Sequence, residues 1–146
     1  MMVRMITAAL LLAAGTANAA DAVSASAAWI RVLPGSLPAG GYVVFRNAGD
    51  RDVAIVDAES PAYGMAMIHR SSTETGMGRM EMVDRVAIPP RGTVAFSPGG
   101  YHVMLEQPTH PVTPGDEVQV TFTLSDGTKL PVTFIARPAN ANGPKD

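Results

Sequence analysis

Punctuation is what most constrains the fold of this chain. Its 12 prolines and 14 glycines cut the apolar residues into short runs and leave hardly any uninterrupted stretch long enough for an amphipathic helix. The runs that remain are rich in Val, Ile, Thr and aromatic residues, which suit a pleated, half-buried surface. Nine read as strands: "AAWIRV", "GYVVFRN", "DVAIVDA", "MAMIHRS", "GRMEMV", "GTVAFS", "YHVMLE", "EVQVTFTLS" and "KLPVTFIAR". Their spacing, with turn residues between them, predicts an all-β sandwich or barrel. The last two form the clearest pair, because Asp126 and Gly127 stand between runs rich in Val, Thr and Phe, a strong hairpin signal. Pro131 has no N–H for a ladder, so the final strand is expected at an edge or with a bulge there.

The first 19 residues read as a secretory signal. Arg4 precedes the apolar run "ITAALLLAAGTA", and Ala17 and Ala19 supply the small residues of a cleavage site after Ala19. That run is shorter than the roughly 20 apolar residues of a membrane-spanning helix, so an exported, soluble, periplasmic protein is expected. The roughly 125 residues after the signal suit a single core; residues 20–137 are expected to form one domain, and 138–146, "PANANGPKD" with Arg137 just before it, a flexible tail. The net charge of −2 becomes −3 once Arg4 is removed, and no basic cluster is present, so nucleic acid is not an expected partner. The chain has no cysteine. Neither disulfides nor thiol chemistry are available to it, although its compartment would permit them.

Methionine is distributed unevenly. Of the nine, three fall in the signal, and Met65, Met67, Met77, Met80, Met82 and Met104 all lie between residues 65 and 104. Methionine used as a general gap-filler would be scattered through the core. His69 and His102, two of the three histidines, lie in the same stretch. On strands, Met65, Met67 and His69 share a face, as do Met80 and Met82, and His102 and Met104. "PGG" at 98–100 is a turn that would carry the last pair to a rim. Taken alone, His102 reads as a hydrogen-bonded structural histidine and Met104 as core.

The spacing across the window is more specific. His69, ten residues, Met80, twenty-one residues, His102, one residue, Met104 resembles the motif of the periplasmic copper chaperone family PCu(A)C at all four positions. "AWIRVLPGSLPAGGYVVFRNAGD", "IPPRGTVAFSPGGYHVML" and "PGDEVQVTFTLSDG" resemble the family's N-terminal, central and closing segments, so the likeness spans nearly all of residues 27–137. It implies a cupredoxin-like β-barrel or sandwich in a single domain, with His69, Met80, His102 and Met104 as ligands of one Cu(I). It also implies a metallochaperone, not an enzyme, that gives copper to the dinuclear centre of cytochrome c oxidase subunit II, directly or with a Sco-type thiol protein. The chain would then be a soluble monomer in transient contact with a membrane-bound recipient.

The donor chemistry agrees. Two thioethers and two imidazoles make a soft, uncharged set suited to Cu(I), whereas zinc prefers thiolate or carboxylate with imidazole. A blue-copper electron-transfer site needs a cysteine that this chain lacks. A copper oxidase with an N-terminal histidine brace would need His where Ala20 or Asp21 stands. The same residues are also compatible with a metal-free exported adaptor or adhesion domain whose methionines pack, and with a periplasmic copper storage or resistance protein. Outside the motif, Met65 reads as packing, Met67 as packing or an auxiliary copper-transfer contact, and Met77, in the loop "ETGMG", as the best transfer contact. Met82 lies outside the motif, His110 reads as a surface residue, and Trp29 as a core anchor.

Overall fold

The structure, a computed structural model, describes residues 22–72 and 78–145. The expected signal (1–19) and Met77 lie outside the described residues. Ten strands follow one another: β1 Val23–Arg31, β2 Ala39–Asn47, β3 Val53–Glu59, β4 Tyr63–Ser72, β5 Arg79–Met82, β6 Val86–Ile88, β7 Thr93–Phe96, β8 Tyr101–Pro108, β9 Glu117–Leu124 and β10 Lys129–Arg137. The all-β expectation holds, and nine of the ten match the predicted runs. The tenth, β6, is three residues between turn segments, too short for an alternation to register.

Hydrogen bonding runs β5-β4-β8-β2-β1-β10-β9-β3-β6, with β7 also paired to β2. The path ends at β5 and β6 and does not close. β2 is shared along one side: Val43–Arg46 pair with β7, and Ala39–Gly41 pair with β8. β7 and β8 are thus two halves of one course along β2, interrupted by the Ser97–Gly100 turn. After the "PGG" turn the chain resumes along β2 as β8, which pairs with β4 along its other edge.

The β9–β10 hairpin forms as its turn residues require. Gly127 takes φ 88°, a region open to glycine, and the Asp126 carboxylate accepts from the Thr128 N–H at 2.9 Å. β10 meets β1 in parallel only through Ile135–Arg137, because β1 bulges between Ser26 and Trp29. Pro131 falls in the half of β10 that pairs with β9 alone, so its missing N–H leaves no ladder bond unmade.

Alternation on β9 turns Val118, Val120, Phe122 and Leu124 inward, and β10 adds Val132, Phe134 and Ala136. Phe45 meets Phe122 and Phe96 edge-on, with centroids 5.0 and 5.3 Å apart, the geometry that aromatic quadrupoles favour. From β4 and β8 the core receives Ile68, Val103 and Leu105. Since alternate residues point to opposite faces, that choice sends Met67, His69, His102 and Met104 to the other face.

Trp29 anchors a core cluster, though not the main one. It is buried in a small separate cluster with Tyr42 and Ala141, packed against Ile135, because its position on β1 puts it on the same outer face as the histidines. The 138–145 stretch, expected as a flexible tail, carries a tertiary contact: Ala141 is buried there, and its carbonyl accepts from an Arg31 guanidinium nitrogen at 2.8 Å. Low apolar content concealed this anchor, since a single small residue suffices to seat the chain on an aromatic pair.

Candidate metal centre

The outer face of β5, β4 and β8 carries the thioethers and imidazoles in register. Across β4 and β8, His69 is opposite His102, Met67 opposite Met104 and Met65 opposite Glu106. Across β4 and β5, His69 is opposite Met82 and Ser71 opposite Met80. Residues directly opposite lie roughly 5 Å apart at Cβ. Three donors, Met82, His69 and His102, therefore form one rank across three strands, with Met67 and Met104 in the next rank and Met80 one step away in the other direction. Of the four residues expected as ligands, the fold brings His69, His102 and Met104 side by side and sets Met80 diagonal to His69.

Both imidazoles carry a buried polar atom that the fold leaves without a partner. Among the described residues the buried polar side chains are Asn47 and His102. Asn47 is fully used: its amide donates to the carbonyls of Arg51 and Ile88, and its oxygen accepts from the Gly49 N–H. His102 is not. Its Nδ1 lies 3.4 Å from the Gly100 carbonyl oxygen, and its buried Nε2 has no partner; the same is true of the buried Nδ1 of His69. A carbonyl only accepts, so the Gly100 contact places the proton of the neutral His102 ring on Nδ1 and leaves Nε2 with a bare lone pair. That is the tautomer in which a histidine binds a metal ion.

Burial holds His102 below the ordinary imidazole range, the Gly100 hydrogen bond opposes this, and the charge of His69 reinforces it. The neutral ring, the form needed for coordination, is thus favoured. The His69 and His102 ring centroids are 5.7 Å apart, with planes at 75°. Tyr42 flanks His102, 6.5 Å away by centroid, and packs in turn against Trp29 at 4.8 Å with the ring planes tilted by 42°. The Arg31 guanidinium lies over both of those rings. Gly40, opposite Met104 on β2, leaves room for the Tyr42 hydroxyl, which a Cβ at that position would meet at 3.0 Å.

No group of three or more His, Cys, Asp or Glu able to hold an ion occurs among the described residues. The donors offered here are imidazole nitrogen and thioether sulfur, which fit a soft monovalent ion and not a hard divalent one. Exposure falls along the cluster: Met80 and Met82 are 63% and 67% exposed on the edge strand β5, Met67, His69 and Met104 are half-buried, and His102 is buried. The spacing of the sequence overlooked two neighbours. Met82 was legible as the same-face partner of Met80, but its place opposite His69 depends on the β4–β5 register. Nothing in the local sequence marks Tyr42 as the wall beside His102.

The fold is a cupredoxin-like β domain of the PCuAC kind. The copper-bound PCuAC domain from PmoF2 is similar with a TM-score of 0.67 at 19% identity, over 80% of this chain and 93% of that one. Apo-DR1885 from Deinococcus radiodurans is similar with a TM-score of 0.63 at 29% identity, over 98% and 97%, and its CuI form with a TM-score of 0.62 at 29%, over 82% and 78%. In sequence, residues 23–136 match the family described as "Putative lipoprotein LpqE-like", and the chain belongs to that family. It is 32% identical over 114 residues to a putative lipoprotein of Leifsonia xyli subsp. xyli, covering 77% of this chain and 68% of that protein. An uncharacterised protein of Rickettsia prowazekii is 32% identical over 89 residues, covering 60% of this chain and 49% of its own length.

Proposed function

We propose that this chain is an exported, periplasmic Cu(I)-binding metallochaperone, made with a signal peptide removed after Ala19. Copper is its cargo, held by His69, His102 and Met104 with a thioether from β5, which the sequence motif assigns to Met80. The observation that carries this reading is the pair of buried, unpartnered imidazole nitrogens on a face lined with thioethers. Buried polar atoms without partners are costly, and a bound cation is the partner that bare imidazole nitrogens and sulfurs share. Solved domains of this fold with copper bound support the assignment of the metal. Thioethers are not oxidised to disulfides, so such a site keeps Cu(I) in an oxidising compartment without exposing a thiol. The recipient we propose is the dinuclear copper centre of cytochrome c oxidase subunit II, reached directly or with a Sco-type thiol protein, in transient contact with a monomeric chaperone.

The test is a Cu(I) titration of the purified protein under reducing conditions against a chromophoric chelator. One tightly bound ion per chain is expected, with Cu(II) bound more weakly because thioethers suit it poorly. No competition with the chelator would return the chain to a metal-free adaptor. Mixing the loaded protein with the copper-binding domain of subunit II should then build the absorbance of the dinuclear centre. Failure of that step alone would redirect the reading to copper storage.

A further inference from the structure

The hydrogen-bonding path ends at β5, whose four residues are all exposed. Which of its backbone groups face outward follows from the register. The Val83 N–H donates to the Ile68 carbonyl at 2.9 Å, so these two residues form a hydrogen-bonded pair, and in an antiparallel ladder such pairs alternate with non-hydrogen-bonded ones. Arg70 with Glu81 and Ser72 with Arg79 are therefore bonded pairs, whereas His69 with Met82 and Ser71 with Met80 are not. Ser71 agrees from the other side, because its N–H donates to the Gly100 carbonyl beside β8 at 3.0 Å. The N–H and C=O of Met80 and Met82 consequently point away from β4, and no strand among the described residues pairs with that edge.

The side chains add a charge pattern. Met80 and Met82 lie on the outer face of the sheet, and Arg79 and Glu81 on the opposite one. An antiparallel strand centred on Met80 must offer an acid opposite Arg79 and a base opposite Glu81, since opposite charges across a pair stabilise it and like charges oppose it. β5 meets that requirement itself. Turned end for end about Met80, its Arg79 comes opposite Glu81 and its Glu81 opposite Arg79. The next register along would set Glu81 against Glu81, which like charges reject. Glu81 already holds Arg70 of its own chain at 3.6 Å through one carboxylate oxygen, and its other oxygen faces no ion pair of that chain.

We propose that two copies of this chain associate reversibly through their β5 edges, antiparallel and centred on Met80, to make one continuous sheet across a two-fold axis. The contact is isologous, the same patch serving on both copies. Met80 of each copy exchanges both backbone hydrogen bonds with Met80 of the other, their Cα atoms about 5.5 Å apart. The two outer faces then lie on the same side of the joined sheet, and each copy brings a thioether to the other's His/Met face. In the copper-binding reading, on which this consequence alone rests, an ion held by one copy passes to the other by exchanging one neutral thioether for another, with no change of charge or oxidation state. A short edge carrying charges makes a weak contact, so monomer and pair are in equilibrium. The monomer is the species whose edge is free for a recipient.

Sedimentation of the apo protein over rising concentration tests the association, and charge reversal tests its register. Arg79→Glu and Glu81→Arg each set like charges opposite each other twice, so each alone should dimerise roughly tenfold more weakly than wild type, or less still. Mixed in equal amounts, the two variants are complementary and should associate as wild type does, and the double variant Arg79→Glu with Glu81→Arg should recover as well. Unfolding midpoints check that every variant folds, since Glu81→Arg also loses the Arg70 ion pair. A wild-type protein that stays monomeric at all concentrations, single variants that dimerise as well as wild type, or a mixture that does not recover would each overturn the proposal. These measurements need no copper. A failed Cu(I) titration would therefore leave them standing, and their failure would leave the copper site untouched.

Discussion

His69 and His102 face each other directly across β4 and β8, with ring planes at 75°, and each keeps a buried nitrogen without a partner. The apo fold bears the cost of that arrangement, since an unsatisfied buried polar atom is worth about 1–3 kcal/mol. Replacing His102 with leucine removes the penalty along with the ligand. His102→Leu should therefore unfold at the same or a higher denaturant midpoint than the wild-type apo protein, by about 1 kcal/mol, while Cu(I) affinity falls more than tenfold. A variant that is less stable and still binds copper would show that the imidazole serves packing, not the metal.

Acid should act on the same group. Burial, the largest influence, keeps His102 below its ordinary range, so protonation favours the unfolded chain. Above about pH 6.5 both states hold a neutral ring and the group adds no slope. Below that value the unfolded state takes up the proton first, and stability is lost until the pH passes the lowered folded-state value. Apo unfolding midpoints measured between about pH 7 and pH 5 should fall on acidification, and fall less in His102→Leu. Parallel curves in the two proteins would remove His102 as the source. Bound copper competes with the same proton, so the stability that Cu(I) adds should shrink over the same range.

Most of the architecture could be read from period-two runs bounded by Pro and Gly, and the motif spacing marked out four residues of one face, His69, Met80, His102 and Met104. What could not be read depends on register. Nothing between residues 69 and 82 states that Met82 faces His69, because the sheet fixes that pairing through bonds such as Val83 to Ile68. Trp29 shows the same limit from another side. Its size predicts burial, which is found, but the face it takes follows from the β1 bulge and the partnership with Tyr42.

The aromatic cluster makes a prediction about the C-terminal stretch. Ala141 covers Trp29 and Tyr42, and its carbonyl accepts from Arg31, which lies over both rings. Truncation after Arg137 should cost about 1.5–3 kcal/mol, the range for a hydrogen bond to a charged group. The emission of the single tryptophan should shift to the red as its ring meets water. Chemical denaturation followed by fluorescence reads both effects. An unchanged spectrum and midpoint would mean that the Ala141 contact adds nothing in solution.

Met104 allows ligand and scaffold to be separated. It is half-buried, opposite Met67 on β4 and Gly40 on β2, so it contributes some packing and, in the copper reading, one sulfur beside His102. Leucine nearly conserves its volume, and Met104→Leu should cost less than about 1.5 kcal/mol of stability. It cannot replace the thioether, so Cu(I) affinity should fall tenfold or more. Met65→Leu is the matched control: it removes a methionine from the same face of β4, but from the rank of Glu106, beyond Met67. Denaturant midpoints should be close to wild type in both variants, while chelator competition should separate them. Equal copper affinity in the two would refute Met104 as a ligand, and a sharp loss in Met65→Leu would extend the site along β4 past the rank where the imidazoles and β5 meet.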